Sequence, residues 1–191
     1  MDSKMIEVIE HNWRAFDEVV RAPGDDVAAK ALIACAERMD FDRYVPSVER
    51  ISAEIGELEG DVEDALCALR KGGYLSTDRY SDWRLTDSGY EASCKARTAC
   101  SYFEAIEDGG RDWKFDDCTV TMAPFDGELW MFHVSAPNGK TCDVIPDTIS
   151  DAVECFGNLE NGESPVWGGW EDGSGNPVSD LLADDKEAKA E

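Results

Sequence analysis

The chain is 191 residues long and carries 42 acidic against 18 basic residues, a formal net charge of −24, with an isoelectric point near 4.2. That length holds one or two small domains with a real core, and a hydrophobic fraction of 42% is ordinary for a folded protein. The charge disfavours nucleic acid and anionic membrane as partners; it favours solubility and steering toward basic surfaces.

Residues 3 to 21 read as an amphipathic helix, with Met5, Ile9, Trp13, Phe16 and Val20 at helical spacing. Its aromatic stripe suits intramolecular core, or the seam of a homodimer. The Ala-Pro-Gly at 22 to 24 breaks it. A second helix is predicted from about Asp26 to Met39, with Val27, Ala31, Leu32 and Cys35 turned inward. Phe41 to Val45 reads as a short extended piece before Pro46, suited to a third small strand beside the hairpin that follows.

Residues 47 to 90 organise the rest. Ser47 is placed to cap a helix carrying Val48, Ile51 and Ile55, which Gly56 stops. Glu57 to Gly60 reads as a tight turn. Asp61 is placed to cap the next helix, where an acid also suits the positive end of the helix dipole. Val62, Leu66 and Leu69 give that helix one apolar stripe, and Gly72-Gly73 ends it. Tyr74-Leu75 and Trp83-Leu85 flank a polar turn, which predicts two short antiparallel strands. Thr86, Asp87 and Ser88 open a long helix to about Glu107.

Helix, turn, helix and hairpin in that order describe a winged helix-turn-helix. The segment also resembles the wing of MarR-type regulators through Leu69, Gly73, Tyr74, Leu75, Leu85, Thr86 and Gly89. The resemblance covers about 45 residues and implies a fold rather than an activity. It would imply DNA binding by the second helix, and here the chain departs from the family. The exposed positions at the start of that helix are Asp61, Glu63 and Asp64, preceded by Glu57 and Glu59. Residues 47 to 90 hold ten acids and five bases. Carboxylates grouped in this way repel phosphate. Arg79 and Arg84 in the wing are the residues that would touch a DNA backbone if the family's activity were kept, while Arg70 and Lys71 lie at the far end of the helix.

Asp108-Gly109-Gly110 reads as a boundary. Beyond it the period changes to two: Cys118, Val120 and Met122 alternate with Thr119 and Thr121. Phe125 to Glu128 is a turn, Leu129 to Val134 an apolar strand, Asn138-Gly139 a hairpin signal, and Thr141 to Ile145 a third strand. Asp147 is placed to cap a helix bearing Ile149, Val153 and Phe156, ended by Gly157. The predicted fold class is therefore α+β: a helical winged helix-turn-helix domain over 1–108, a small antiparallel β-meander with a helix over 111–158, and a loop and acidic tail over 159–191, partly disordered. Within that last stretch Trp167 and Trp170 either cover the meander or form an exposed contact for a partner.

Chemical signatures are missing from the pattern. His11 and His133 have no neighbours at ligand spacing, and there is no phosphate-cradling glycine loop and no Gly-x-Ser-x-Gly. The seven cysteines are odd in number and contain no Cys-x-x-Cys, which fits buried free thiols in a reduced cytoplasmic protein. No leader segment and no membrane-length apolar run is expected. The acidity has three candidate explanations: a solvated surface, halophilic adaptation, against which the Cys and Trp content argues, or a functional surface that imitates the charge of DNA.

The expectation is thus a cytoplasmic, non-enzymatic protein without cofactor or metal. It would act through protein–protein contact with a basic partner, such as a nucleic-acid-binding protein. Glu57, Glu59, Asp61, Glu63 and Asp64 would form the contact face, and Trp167 and Trp170 a second one. The most concrete form is an inhibitor of the phage or mobile-element kind that fills a nucleic-acid channel. A MarR-like regulator using Arg79 and Arg84 is the first alternative, and a structural adaptor docking through the two Trp is the second.

Overall fold

Eight consecutive residues, Ala28 to Cys35, are buried, and a helix buried on every side must sit among its neighbours. A computed structural model describes residues 1, 3–20, 26–39, 41–126 and 129–183, without the side chains of 13, 15–20, 126 and 129. It shows helix α2 (Asp26–Arg38) packed against α1 (Ser3–Val20), α3 (Val48–Ile55) and α4 (Glu59–Lys71). The alanines of α2 make close approach possible on several sides. Ile9 of α1 is buried as its spacing predicts. The break at 22 to 24 and the side chains of Trp13, Phe16 and Val20 lie outside the described residues.

Among the described residues there are seven helices and two antiparallel sheets, so the chain is α+β. It divides into two compact units, Met1–Phe103 and Glu104–Glu191.

In the first unit, Gly56 ends α3 in the left-handed region, with φ +78° and its N–H on the Ser52 carbonyl at 2.9 Å. Ser47 holds the N-cap position of α3 without a side-chain capping bond. The start of α4 differs from the expectation. Leu58, not Asp61, is its N-cap, and Glu59 and Gly60 already belong to the helix. The dipole favours acids anywhere in the first turn, so Glu59 and Asp61 both suit positions inside it and neither has to be the cap.

A hairpin follows, β1 (Leu75–Thr77) with β2 (Trp83–Leu85), in the register Leu75↔Leu85. Tyr44 bridges to Arg84 on the other edge of β2, through Val45 N–H to the Trp83 carbonyl at 3.1 Å and Leu85 N–H to the Arg43 carbonyl at 3.0 Å. The extended piece before Pro46 thus joins the hairpin as a third, minimal strand. Helix α5 (Asp87–Glu107) starts against the base of the hairpin. Thr86 Oγ1 accepts the Gly89 N–H at 3.0 Å and lies 2.7 Å from the Gly73 carbonyl.

The second unit is a four-stranded sheet in sequential order, β3 (Asp112–Lys114), β4 (Thr119–Asp126), β5 (Leu129–Ser135) and β6 (Thr141–Val144). Val120, Met122, Trp130, Phe132 and Val134 are buried, and α6 (Ile149–Glu160) supplies Ala152, Val153, Phe156 and Leu159 to the unit's core. Strand β3 is additional to the three expected; Trp113 on it meets the Phe156 ring edge-on at 5.5 Å. Two helix ends move. Thr148, not Asp147, caps α6 by accepting the Asp151 N–H at 3.1 Å, and the helix runs through Gly157 to Glu160. The stretch after 158 is more structured than a loop. Val178–Leu182 forms α7, with Val178 and Leu182 buried. Asn138 Nδ2 and Lys140 Nζ in the hairpin turn donate to the carbonyls of Leu182 and Ala183 at 2.9 and 2.7 Å. The rest of the acidic tail, 184–191, lies outside the described residues.

Gly89 is set by contact rather than by conformation. A Cβ there would stand 2.1 Å from the Tyr74 carbonyl oxygen and 2.9 Å from Leu85 Cδ1. The backbone oxygen cannot swing aside, so α5 and β1 must part. Gly89→Ala is expected to cost about 2 kcal/mol, in the range of overpacked cores, and urea unfolding monitored by circular dichroism measures it.

Candidate interaction surface

The sequence EGDVEDAL at the start of α4 sorts itself by periodicity. Val62, Ala65 and Leu66 turn inward, which leaves Glu59, Asp61, Glu63 and Asp64 exposed. Four of the five residues expected to form the acidic face are therefore exposed. No ion pair among the described residues reaches any of the four. Leu58 stands directly before them and is 74% exposed. Nothing in the sequence marks it as exposed, because a single Leu in a polar turn is equally suited to pack into the core.

Glu57 is elsewhere. Its Oε1 lies 2.5 Å from Nζ of Lys30, and its carbonyl accepts the Ser52 hydroxyl at 2.6 Å. Lys30 is 0% exposed on α2. Glu10 Oε1 from α1 and Asp26 Oδ2 from the first turn of α2 each reach the same ammonium at 3.0 Å. Three carboxylates surround one cation, so the cluster has a formal charge of 1 − 3 = −2. Burial by itself would lower the Lys30 pKa, but the hydrogen bonds to Glu57, Glu10 and Asp26 outweigh it and hold the pKa above the ordinary lysine value. The only signal in the sequence was a lysine inside an Ala-rich apolar run with an acid four residues before it.

This is also the one group of three acidic, His or Cys residues, among those described, whose ligand atoms converge. The three oxygens lie within 4.8 Å of one another. A divalent ion accepts oxygen ligands at such spacing, but the Lys30 ammonium takes that position and supplies the positive charge.

The wing arginines are partly committed. Arg84 donates through Nη2 and Nε to the Asp42 carbonyl at 2.6 and 3.2 Å, with its guanidinium 4.8 Å from the centre of the Tyr44 ring. Arg79 is exposed and lies 4.7 Å over Tyr80. Arg70 stacks at 5.6 Å over Trp83. The two tryptophans separate. Trp170 is 8% exposed and packs edge-on against Phe132 at 5.8 Å, while Trp167 is 84% exposed.

The titratable chemistry elsewhere is subdued. All seven cysteines are free; Cys94 is exposed, against the buried reading, and Cys35, Cys100 and Cys118 are buried. Burial pushes the Cys35 and Cys155 thiols up to about 12, which keeps them protonated and weakly nucleophilic. His133 has a partner that spacing did not reveal, since Nδ1 lies 2.6 Å from Asp143 Oδ1 on the neighbouring strand. No described helix is long and apolar enough to cross a membrane.

No family model matches the chain, and neither the curated proteins nor the solved structures contain a match to it.

Replacing Lys30 by Met leaves three carboxylates facing one another. The loss of a buried partner costs roughly 3–5 kcal/mol in general; these carboxylates retain some water contact, so about 2–3 kcal/mol is expected. The pKa of Lys30 is raised in the folded state, so its stabilisation is complete below the unfolded lysine pKa and fades as pH rises through the folded value. The stability gap between wild type and Lys30→Met should therefore be constant from pH 7 to about 10 and narrow above that. Urea midpoints across that range test the sign.

Proposed function

We propose that the protein is a non-enzymatic interaction protein whose α4 face binds a basic surface on a protein partner. One observation carries the reading: Glu59, Asp61, Glu63 and Asp64 are all exposed, with no ion pair to them among the described residues, and the exposed Leu58 directly precedes them. Uncompensated charges repel one another, and a basic partner relieves that repulsion and speeds encounter. Leu58 adds the apolar anchor that charge pairs alone lack, because rim charges contribute mainly rate and specificity while buried apolar contacts contribute residence time.

The order of helices and hairpin in the first unit supports a winged-helix reading of it, of the kind the seven MarR-like positions suggest. In that frame α4 occupies the place of a DNA-reading helix and presents acids where a reader presents bases. The concrete form of the proposal follows: the face imitates the charge of a nucleic acid and occupies the channel of a nucleic-acid-binding protein, as inhibitors from phages and mobile elements do. Glu57 is not part of the face in this reading; it anchors the turn that presents it.

A second reading, a DNA-binding regulator, draws on the same element order and on the exposed Arg79. It is the weaker one, because Arg84 already serves the Asp42 carbonyl. An adaptor reading narrows to Trp167, since Trp170 belongs to the core.

The test is affinity capture with the full chain and with Asp61→Lys, Glu63→Lys, Asp64→Lys combined. The expected outcome is loss of the captured basic partner while the chain stays folded, its melting profile lowered only by the helix-dipole contribution of Asp61, about 0.3–1 kcal/mol. Wild-type protein should also displace a labelled duplex from that partner. Partner binding that survives the triple reversal would make the reading wrong. Leu58→Ala is expected to weaken capture with a stability change of about 0.5 kcal/mol or less, as for surface positions generally.

A further inference from the structure

The second unit contains a groove that the α4 face does not account for. It has a volume of about 480 Å³ and lies between the end of β6, the outer face of α6 and the loop over 168–175. Ile145, Pro146 and Trp170 contribute apolar wall. Asp147, Asp151, Glu154, Glu171 and Asp172 stand around it, and among the described residues no Lys, Arg or His lines it. The helix explains part of this: Asp151, Glu154 and Asn158 occupy the side of α6 opposite its buried Ala152, Val153, Phe156 and Leu159. The loop explains the rest. Asp172 accepts the Ser174 and Asn176 N–H groups at 2.9 and 2.8 Å, and Gly173 packs 3.5 Å from Ile145 when measured from an ideal Cβ, so the wall is preformed. Those backbone bonds hold the Asp172 carboxyl below its ordinary pKa and keep it anionic. Burial keeps Cys155, also in the wall, a neutral thiol.

We propose that this groove docks an extended arginine-bearing polypeptide segment of a partner. The chemistry of the walls selects that occupant. A hydrated metal ion has no use for an apolar floor of Ile145, Pro146 and Trp170. An arginine side chain lays its methylenes on apolar surface while its planar fork meets carboxylates. No ion pair among the described residues reaches Glu154 or Glu171, which line the groove from the helix and from the loop. A cation at the groove therefore meets charge that no ion pair among the described residues neutralises. The volume is within the range of pockets that hold a small ligand, roughly 300–1,000 Å³, which is ample for one arginine side chain. The groove lies wholly in the second unit, and the inference stands whether or not the α4 face binds its own partner.

The test is calorimetric titration of the full chain with the capped peptide Arg-Gly-Arg-Gly-Arg at about 150 mM salt, where long-range attraction to the acidic surface is screened. Three companions decide the outcome: the same peptide with citrulline for arginine, the double variant Glu154→Gln with Glu171→Gln, and the α4 triple reversal. Both groove positions are exposed, so unchanged near-ultraviolet circular dichroism should accompany the double variant. The expected result is saturable one-site binding, about tenfold weaker for the double variant, absent for the citrulline peptide and unchanged in the α4 variant. A tenfold loss corresponds to about 1.4 kcal/mol for two charge contacts. Equal weakening by the α4 variant would show diffuse attraction to the acidic chain and overturn the proposal. So would undiminished binding by the double variant, no binding at all, or displacement of the peptide by micromolar calcium alone.

Discussion

The ammonium of Lys30 is the constraint on which the first unit is arranged. It is the one cationic side chain within the buried run of α2, and it cannot be left there alone, since an unpaired buried charge costs several kcal/mol. Its three partners come from three places in the chain: Glu10 on α1, Asp26 at the start of α2, and Glu57 in the turn before α4. One buried cation therefore fixes the approach of α1 to α2 and the path of the α3–α4 turn at once. The turn in turn sets where α4 begins, and so which of its acids face outward. Sequence, packing and the candidate surface are joined at this atom.

The many carboxylates of the chain separate into two populations once their partners are known. Some are used by the fold. Asp78 binds the Tyr80 and Asp82 N–H groups and the Tyr44 hydroxyl, closing the hairpin turn. Glu160 receives Arg111 at 2.9 Å and Trp113 Nε1 at 2.8 Å. Glu54 pairs with Arg38, and Thr148 and Asp151 close the start of α6. Others, Glu59, Asp61, Glu63 and Asp64 on α4 and Glu154 and Glu171 at the groove of the second unit, are in no ion pair among the described residues. The exposed Leu58 directly precedes the first group, and the second shares its groove with Ile145, Pro146 and Trp170; other exposed acids, such as Glu49, Glu91 and Asp112, belong to neither.

Much of the helical order was legible because the apolar residues repeat at 3.6: Val62, Leu66 and Leu69 are buried where the stripe puts them. The hairpin was legible because Leu75 and Leu85 bracket polar turn residues, and they do pair. What escaped reading depends on tertiary contact. Asp61 and Asp147 looked like caps, but capping is a matter of where the backbone leaves the helix, and Leu58 and Thr148 hold those positions. Strand β3 has three residues, too few for a period to show. Val178 and Leu182 form a helix only because Trp170 and the turn at Asn138 hold its ends. Glu57 reads as part of the acidic contact face and Lys30 carries no sequence mark of burial, because nothing local marks a lysine that its partners bury. Trp167 and Trp170 are three apart in a glycine-rich stretch, and only the packed Phe132 ring tells them apart.

If the α4 face meets basic protein surfaces in place of nucleic acid, a DNA duplex should not bind the chain. Fluorescence anisotropy of a labelled random duplex with the purified protein, at about 50 mM and about 200 mM salt, addresses it most directly, since binding driven by phosphate contacts falls steeply across that interval. The expected result is no binding at either salt. Binding at low salt that weakens at the higher one would reveal phosphate contacts strong enough to overcome the α4 carboxylates, and would contradict it.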